Sequence, residues 1–251
     1  MLQKIILNCT YAGDQKASYN WGSLFHGAMI ELLPDIAADM LHDNNLRPFS
    51  QYVHVLAANK LEWHIGLWDN QYAEAIAQAL MPLSIIEIKH KGLKMDIVAT
   101  ERKKQSVRDY FAQFFTSETP CRKYELEFLT PCTHKSAGQY VLFPSTELII
   151  QSLLMRFSAF LEEFTIDDPK AIAQLSEHLK ITRYYLRSAR YYLEKTKIPG
   201  YLGRITLSVR GPEPLARLAG LLLSFAEYAG IGVKTSLGMG GCRVTQIRAT
   251  K

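Results

Sequence analysis

Cysteine is scarce in this chain and poorly placed for two of its usual uses. The four residues, Cys9, Cys121, Cys132 and Cys242, are dispersed without a C-x-x-C pair. That excludes a zinc ribbon and a disulfide scaffold, and favours a reducing compartment. Long apolar runs are missing as well: no stretch approaches about eighteen uncharged apolar residues, and the one after Met1 is too short for a signal peptide. A cytoplasmic protein without membrane contact is the expectation. There is no H-E-x-x-H motif and no cluster of aspartates or glutamates of the kind that holds two metal ions. Neither a metal nor another cofactor is therefore expected.

What is present suffices for a substantial core: 251 residues, 48% of them hydrophobic, carrying a formal charge of +5. Residues 4–10 alternate as a strand. Trp21, Leu24, Phe25, Ala28 and Leu32 recur at helical spacing, in a helix that must bend or end before Pro34. Residues 51–68 hold two alternating runs around Ala58-Asn59-Lys60 and read as a hairpin. Folded symmetrically about Asn59, it pairs Val53, Val55 and Ala57 with Ile65, Trp63 and Leu61 on an apolar face. Tyr52 and His54 then lie beside Glu62 and His64 on the other. A helix at 69–80 and a strand at 83–89 complete β-α-β-β-α-β. The pattern recurs as a strand at 124–130, a helix at 146–164, strand-like pieces at 182–193 and 204–210, a helix at 213–228 and a strand at 242–248. The piece at 182–193 also fits a helix with Arg183, Arg187 and Arg190 on one side. The expected fold is α+β: tandem ferredoxin-like (βαββαβ) domains at 1–110 and 120–251, a linker within 89–121, and a glycine-rich loop near the C-terminal end.

That loop, GIGVKTSLGMGG at 230–241, holds five of the fifteen glycines, Gly230, Gly232, Gly238, Gly240 and Gly241, around Lys234, Thr235 and Ser236. Glycine is favoured where φ must be positive or where something approaches the main chain closely. Free N–H groups, a lysine and hydroxyls suit a phosphate. The loop is not a Walker A motif, because Lys234 follows Val233, nor a dinucleotide fingerprint, because Thr235 stands where a third glycine is needed. The competing reading is a long turn joining a helix to the last strand. Upstream, residues 180–210 carry eight cations (Lys180, Arg183, Arg187, Arg190, Lys195, Lys197, Arg204, Arg210) against one acid, Glu194, interleaved with Tyr184, Tyr185, Tyr191, Tyr192 and Tyr201. Cations among aromatic faces suit single-stranded nucleic acid, with Tyr191 or Tyr192 as stacking candidates. A solvated element whose tyrosines face a core is the alternative.

Among seven histidines, His42 stands at the expected end of a helix and opens onto a polar loop, five residues before Arg47. It either caps that helix or transfers a proton. A proton-transferring imidazole beside a permanent cation is a minimal kit for RNA cleavage, in which the 2′-hydroxyl of the substrate is the nucleophile. His26, inside the first helix, is either structural or lines the same cleft. His54 and His64, if opposite one another on a sheet, make either a metal or proton-transfer pair or polar filling.

Three stretches resemble a known family: LFHGAMIELL and MLHDNNLRPFS near the start, KIPGYLGRITL at 197–207, and GIGVKTSLGMG at 230–240. The chain is similar to the CRISPR-associated endoribonucleases that cut precursor transcripts within the repeat. The resemblance implies RNA bound along a cleft or basic face and metal-independent attack by a 2′-hydroxyl, leaving a 2′,3′-cyclic phosphate and a 5′-hydroxyl. It places His42 on the family's catalytic histidine and Arg47 where some members have lysine. Ile30 stands where some members carry a catalytic tyrosine, so a third group must come from elsewhere, with His26 and Tyr52 as candidates. CRISPR precursor or repeat RNA is the implied partner, a CRISPR effector complex a further one, and monomer and homodimer are both open. The alternative function is a noncatalytic RNA-binding subunit of a CRISPR ribonucleoprotein.

Overall fold

The alternation read at 4–10 extends over Leu2–Tyr11 (β1). Ile5, Leu7, Cys9 and Tyr11 are buried on one face, while Lys4, Ile6, Asn8 and Thr10 are half-buried on the other. The computed structural model describes residues 1–33, 47–160, 169–194 and 196–248. After β1 come α1 (Gly22–Glu31), β2 (Phe49–Ala57), β3 (Lys60–Leu67), α2 (Asn70–Leu80), β4 (Ile85–Ile88) and β5 (Leu93–Gln105). The strands form an antiparallel sheet ordered β2-β3-β1-β5-β4. α1 turns Phe25 and Met29 into its core, joined by Trp21 just before the helix, and leaves His26 and Ile30 half-buried. α2 starts where the Asp69 carboxylate accepts the Tyr72 N–H at 3.0 Å.

Two details depart from expectation. The β2–β3 hairpin has the expected faces, but its register is shifted by two residues: Val53 pairs with Trp63, Tyr52 with His64, and His54 with Glu62. The turn sits at Ala58-Asn59, with Asn59 at φ 59° and a bulge between Val55 and Ala57. A shift of two keeps every side chain on its face. The stretch expected to hold the linker instead forms β5, a 13-residue strand that pairs along β1 from Leu2↔Gln105 to Tyr11↔Met95. β4 lies outside it as the edge. The charged end of β5, Glu101-Arg102-Lys103-Lys104, has no apolar face to advertise a strand; Arg102 is held instead by the Gln3 side chain at 2.7 Å.

The second unit runs β6 (Lys123–Cys132), β7 (His134–Ser136), β8 (Gln139–Val141), α4 (Thr146–Phe160), α5 (Pro169–His178), β9 (Leu179–Leu193), β10 (Thr196–Val209), α6 (Glu213–Ala229) and β11 (Cys242–Gln246). The sheet order β11-β6-β10-β9 is that of a ferredoxin-like fold, with β7–β8 as an inserted hairpin. Residues 182–193 are strand. Their spacing of apolar groups is ambiguous, and the antiparallel ladder from Leu179↔Val209 to Leu193↔Thr196 decides. A helix at Val107–Phe115 (α3), capped where the Ser106 hydroxyl accepts the Asp109 N–H, straddles the expected domain boundary. It packs on the second unit: the Tyr110 hydroxyl donates to Leu221 O at 2.6 Å, and Arg217 donates to Phe114 O at 2.7 Å. Leu2 and Trp68, from the first unit, are also buried in the second unit's core, with Trp68 edge-on to Phe225 at 5.6 Å. Among the described residues, no helix is long and apolar enough to cross a membrane.

Candidate functional site

The first turns of α1 are the meeting point of two of the predicted elements. One turn into the helix, His26 Nε2 lies 2.8 Å from Arg47 Nη1, and the His26 ring stacks on Phe49 at 5.8 Å. Arginine only donates, so Nε2 accepts and the ring proton of this tautomer sits on Nδ1. Burial lowers the Arg47 pKa from its ordinary value, yet the group remains a cation at any physiological pH. His42 lies outside the described residues, in the stretch 34–46 that ends immediately before Arg47. Tyr52, the other candidate for the third group, is a correction. It is 4% exposed with its ring packed against Gly241, and burial pushes its hydroxyl well above the ordinary range. It also stands on the β2 face opposite Val53, away from α1.

The glycine loop crosses the start of α1. A Cβ on Gly238 would come within 2.8 Å of Gly22 Cα and 2.6 Å of Tyr191 Oη, and one on Gly240 would overlap Ile231 O at 1.9 Å. Gly232 would meet Thr133 O at 2.2 Å, and Gly230 would meet the Thr235 side chain at 2.9 Å. The close approach that selects these glycines is therefore by the protein's own atoms, backbone at Gly232 and Gly240 and partly side chain at Gly230 and Gly238. The part open to a ligand is narrower. Lys234 adopts φ 58° and starts a 3₁₀ turn at Thr235–Leu237. Among the described residues, the N–H groups of Lys234, Thr235 and Ser236 have no acceptor, whereas those of Gly230, Ile231, Gly232, Val233 and Gly240 are all bonded. Lys234 and Ser236 are half-buried and Thr235 is buried. Three consecutive unbonded N–H groups beside a lysine are the kind of backbone that suits an anion.

On β9, Arg183, Arg187 and Arg190 are exposed or nearly so. Cross-strand register sorts them by face. Tyr185 pairs with Arg204, Arg204 with Glu127, and Glu127 with Arg243, so one row across all four strands reads Tyr185, Arg204, Glu127, Arg243. Arg183 and Arg187 flank that row on the same face; Arg190 and Tyr192 lie on the other. Glu127 bridges Arg204 and Arg243 at 3.3 Å each. Tyr191 is a second correction: it is fully buried against Ile198 and Met239, and its hydroxyl donates to Leu237 O in the glycine loop. Tyr192 is 46% exposed, beneath Lys197 at 5.9 Å. Tyr185, 83% exposed, offers the open ring face.

Residues 126–242 match the family model of the CRISPR-associated endoribonuclease Cas6. A CRISPR-associated endoribonuclease Cas6 of Streptococcus thermophilus is 31% identical over 222 residues, covering 88% of this chain and 90% of the relative. Another, from Mycobacterium tuberculosis strain H37Rv, is 31% identical over 227 residues, covering 89% and 71%. The chain belongs to the Cas6 family. Thermus thermophilus Cas6 shares the fold with a TM-score of 0.72 at 23% identity, covering 98% of each chain. A Cas6 product complex gives 0.79 at 22%, covering 98% of this chain and 100% of that one.

In this Cas6 family member two residues that sequence reasoning passed over hold the site together. Gln51 is 1% exposed; its Nε2 donates to Gly22 O and to Ser236 O, both at 2.9 Å, while its Oε1 accepts from Trp63 Nε1 at 2.9 Å. One amide thus ties α1, the glycine loop and β3. The signal was available: Gln51 shares the strand face of Val53, where a polar side chain needs partners. Arg156 on α4 is 5% exposed and donates to Ser152 O and Gly232 O. No acid pairs with it among the described residues, and burial lowers its pKa to about 10.

Proposed function

We propose that the chain is a metal-independent endoribonuclease that cleaves CRISPR precursor RNA within the repeat. A substrate 2′-hydroxyl attacks the adjacent phosphorus, the 5′-oxygen leaves, and the products are a 2′,3′-cyclic phosphate and a 5′-hydroxyl. The observation that carries this is the contact of His26 with Arg47 one helical turn from the glycine loop. It sets a cation and an imidazole beside an anion-binding backbone. In the roles we assign, Arg47 stabilises charge developing on the phosphorane oxygens. His42 transfers the proton. His26 has its single lone pair occupied by Arg47, so it positions the guanidinium, and becomes able to accept a proton once Arg47 turns to the phosphate. The unbonded N–H groups of Lys234, Thr235 and Ser236 hold a neighbouring phosphate. The face bearing Arg183, Tyr185, Arg187 and Arg204 tracks the strand.

The test is single-turnover cleavage of a repeat RNA in excess chelator, with end-group analysis. His42→Ala should lower the rate by at least about 100-fold with little change in binding, and Arg47→Ala should lower it too. Cleavage at the wild-type rate by His42→Ala would remove that residue from the mechanism. Binding without cleavage by the wild type would favour the noncatalytic subunit instead.

A further inference from the structure

The β2–β3 hairpin carries a side-chain cluster that the proposed cleavage does not use. Register places Tyr52 opposite His64 and His54 opposite Glu62, so all four stand on the face turned away from α1. Phe25 of α1 packs on Trp63, on the other face, at 5.0 Å. A single carboxylate oxygen, Glu62 Oε2, contacts both imidazoles, His64 Nε2 at 2.8 Å and His54 Nδ1 at 3.3 Å. One potential ligand atom from each of the three residues lies within 4.8 Å of those of the other two. The Tyr52 ring lies flat on His64, 4.5 Å away and 6° from parallel, which fixes the imidazole plane. His64 is 6% exposed, and its other nitrogen, Nδ1, has no hydrogen-bond partner among the described residues. The ring is therefore held by stacking and by Glu62 alone.

We infer that His54 Nδ1, Glu62 Oε2 and His64 Nε2 bind a divalent zinc-type ion. Two imidazoles and a carboxylate are a donor set for zinc and its neighbours; magnesium and calcium prefer oxygen throughout. Bonds of about 2.0–2.1 Å in tetrahedral geometry put ligand atoms about 3.3 Å apart. The His54 to Glu62 edge already has that length, and the His64 edge must open by about 0.5 Å. Without an ion, His64 donates its Nε2 proton to Glu62, so binding through Nε2 moves that proton to Nδ1, which has no other partner among the described residues. His54 and Glu62 are about a quarter exposed, at 26% and 23%, which leaves a path for entry and an open fourth position for water. The ion would clamp the hairpin from the face opposite His26, and so would take no part in phosphodiester cleavage.

Titrating the purified protein with zinc by calorimetry, and with cobalt(II) by visible absorption, tests this. One ion per chain and a tetrahedral cobalt spectrum without thiolate charge-transfer bands are expected. His54→Ala and Glu62→Gln change side chains that are about a quarter exposed and should fold; each should weaken zinc binding at least about tenfold and abolish the cobalt bands. Cleavage by the wild type should be equal in its metal-free and metal-loaded forms. No stoichiometric binding by the wild type, or equal affinity in both variants, would overturn the site. Neither outcome bears on the proposed endoribonuclease chemistry, which is read separately in chelator.

Discussion

Replacing Gln51 by leucine would separate the packing of the glycine loop from its hydrogen bonding, because leucine keeps most of the volume and none of the polarity. Three partners lose their bond at once. Trp63 Nε1–H, on a fully buried side chain, is left without an acceptor, and Gly22 O and Ser236 O each lose a donor. An unsatisfied buried donor costs about 1–3 kcal/mol and each broken neutral bond about 0.5–1.5, so the substitution should remove about 3 kcal/mol of stability. For a chain of this size that is a fall of about 6–12 °C in Tm. Urea denaturation and calorimetry measure it. Repeat-RNA affinity of the still-folded variant should also fall, because Ser236 O is one of the points that fix the loop beneath the unbonded N–H groups. A loss below about 0.5 kcal/mol would refute the reasoning, since it would mean that water replaces all three bonds.

Gly238→Ala should destabilise the fold by about 2 kcal/mol or more, as it adds a backbone clash to a φ of +105°; Gly138→Ala, at φ +77° with open space around it, should cost only about 1, and melting of both isolates the clash. Exchanging Arg183 and Arg187 together for glutamine should flatten the dependence of log K on log salt by about 0.7 for each RNA phosphate that is no longer neutralised. On the same RNA, Tyr185→Ala should cost about 1–3 kcal/mol of binding at unchanged salt slope, whereas Tyr191→Phe should alter stability alone. His134 is buried, and burial followed by the nearby Arg156 charge depresses its pKa to about 4. The unfolded chain, with an ordinary value of about 6.5, then binds the extra proton between those limits, so stability should fall from pH 6.5 to pH 4, and His134→Gln should flatten that slope.

How far the sequence carried these conclusions depends on what each residue is selected for. Faces were legible: the parity of Val53, Val55, Trp63 and Ile65 survived a register shift of two, because burial fixes parity while turn geometry fixes register. β5 was not legible, because its outer half is charged and is held by pairing with β1 and by the Gln3–Arg102 hydrogen bonds. The glycine loop was recognised as a site of close approach, but not that the approaching atoms belong to Gly22, Ile231 and Thr133. Tyr191 and Tyr192 are adjacent in the chain and alike in composition, yet one is buried and the other open; only the pleat separates them.

The placement of Trp68, Leu2 and α3 bears on where this chain could be divided. By topology there are two ferredoxin-like units. By burial there are not: a fragment ending near residue 110 would present Trp68 and Leu2 to water, and one beginning near 120 would lack Tyr110 and Phe114 over Leu221 and Arg217. Each fragment would expose a wall built by the other. The two repeats should therefore melt in one transition, because each completes the interior of the other.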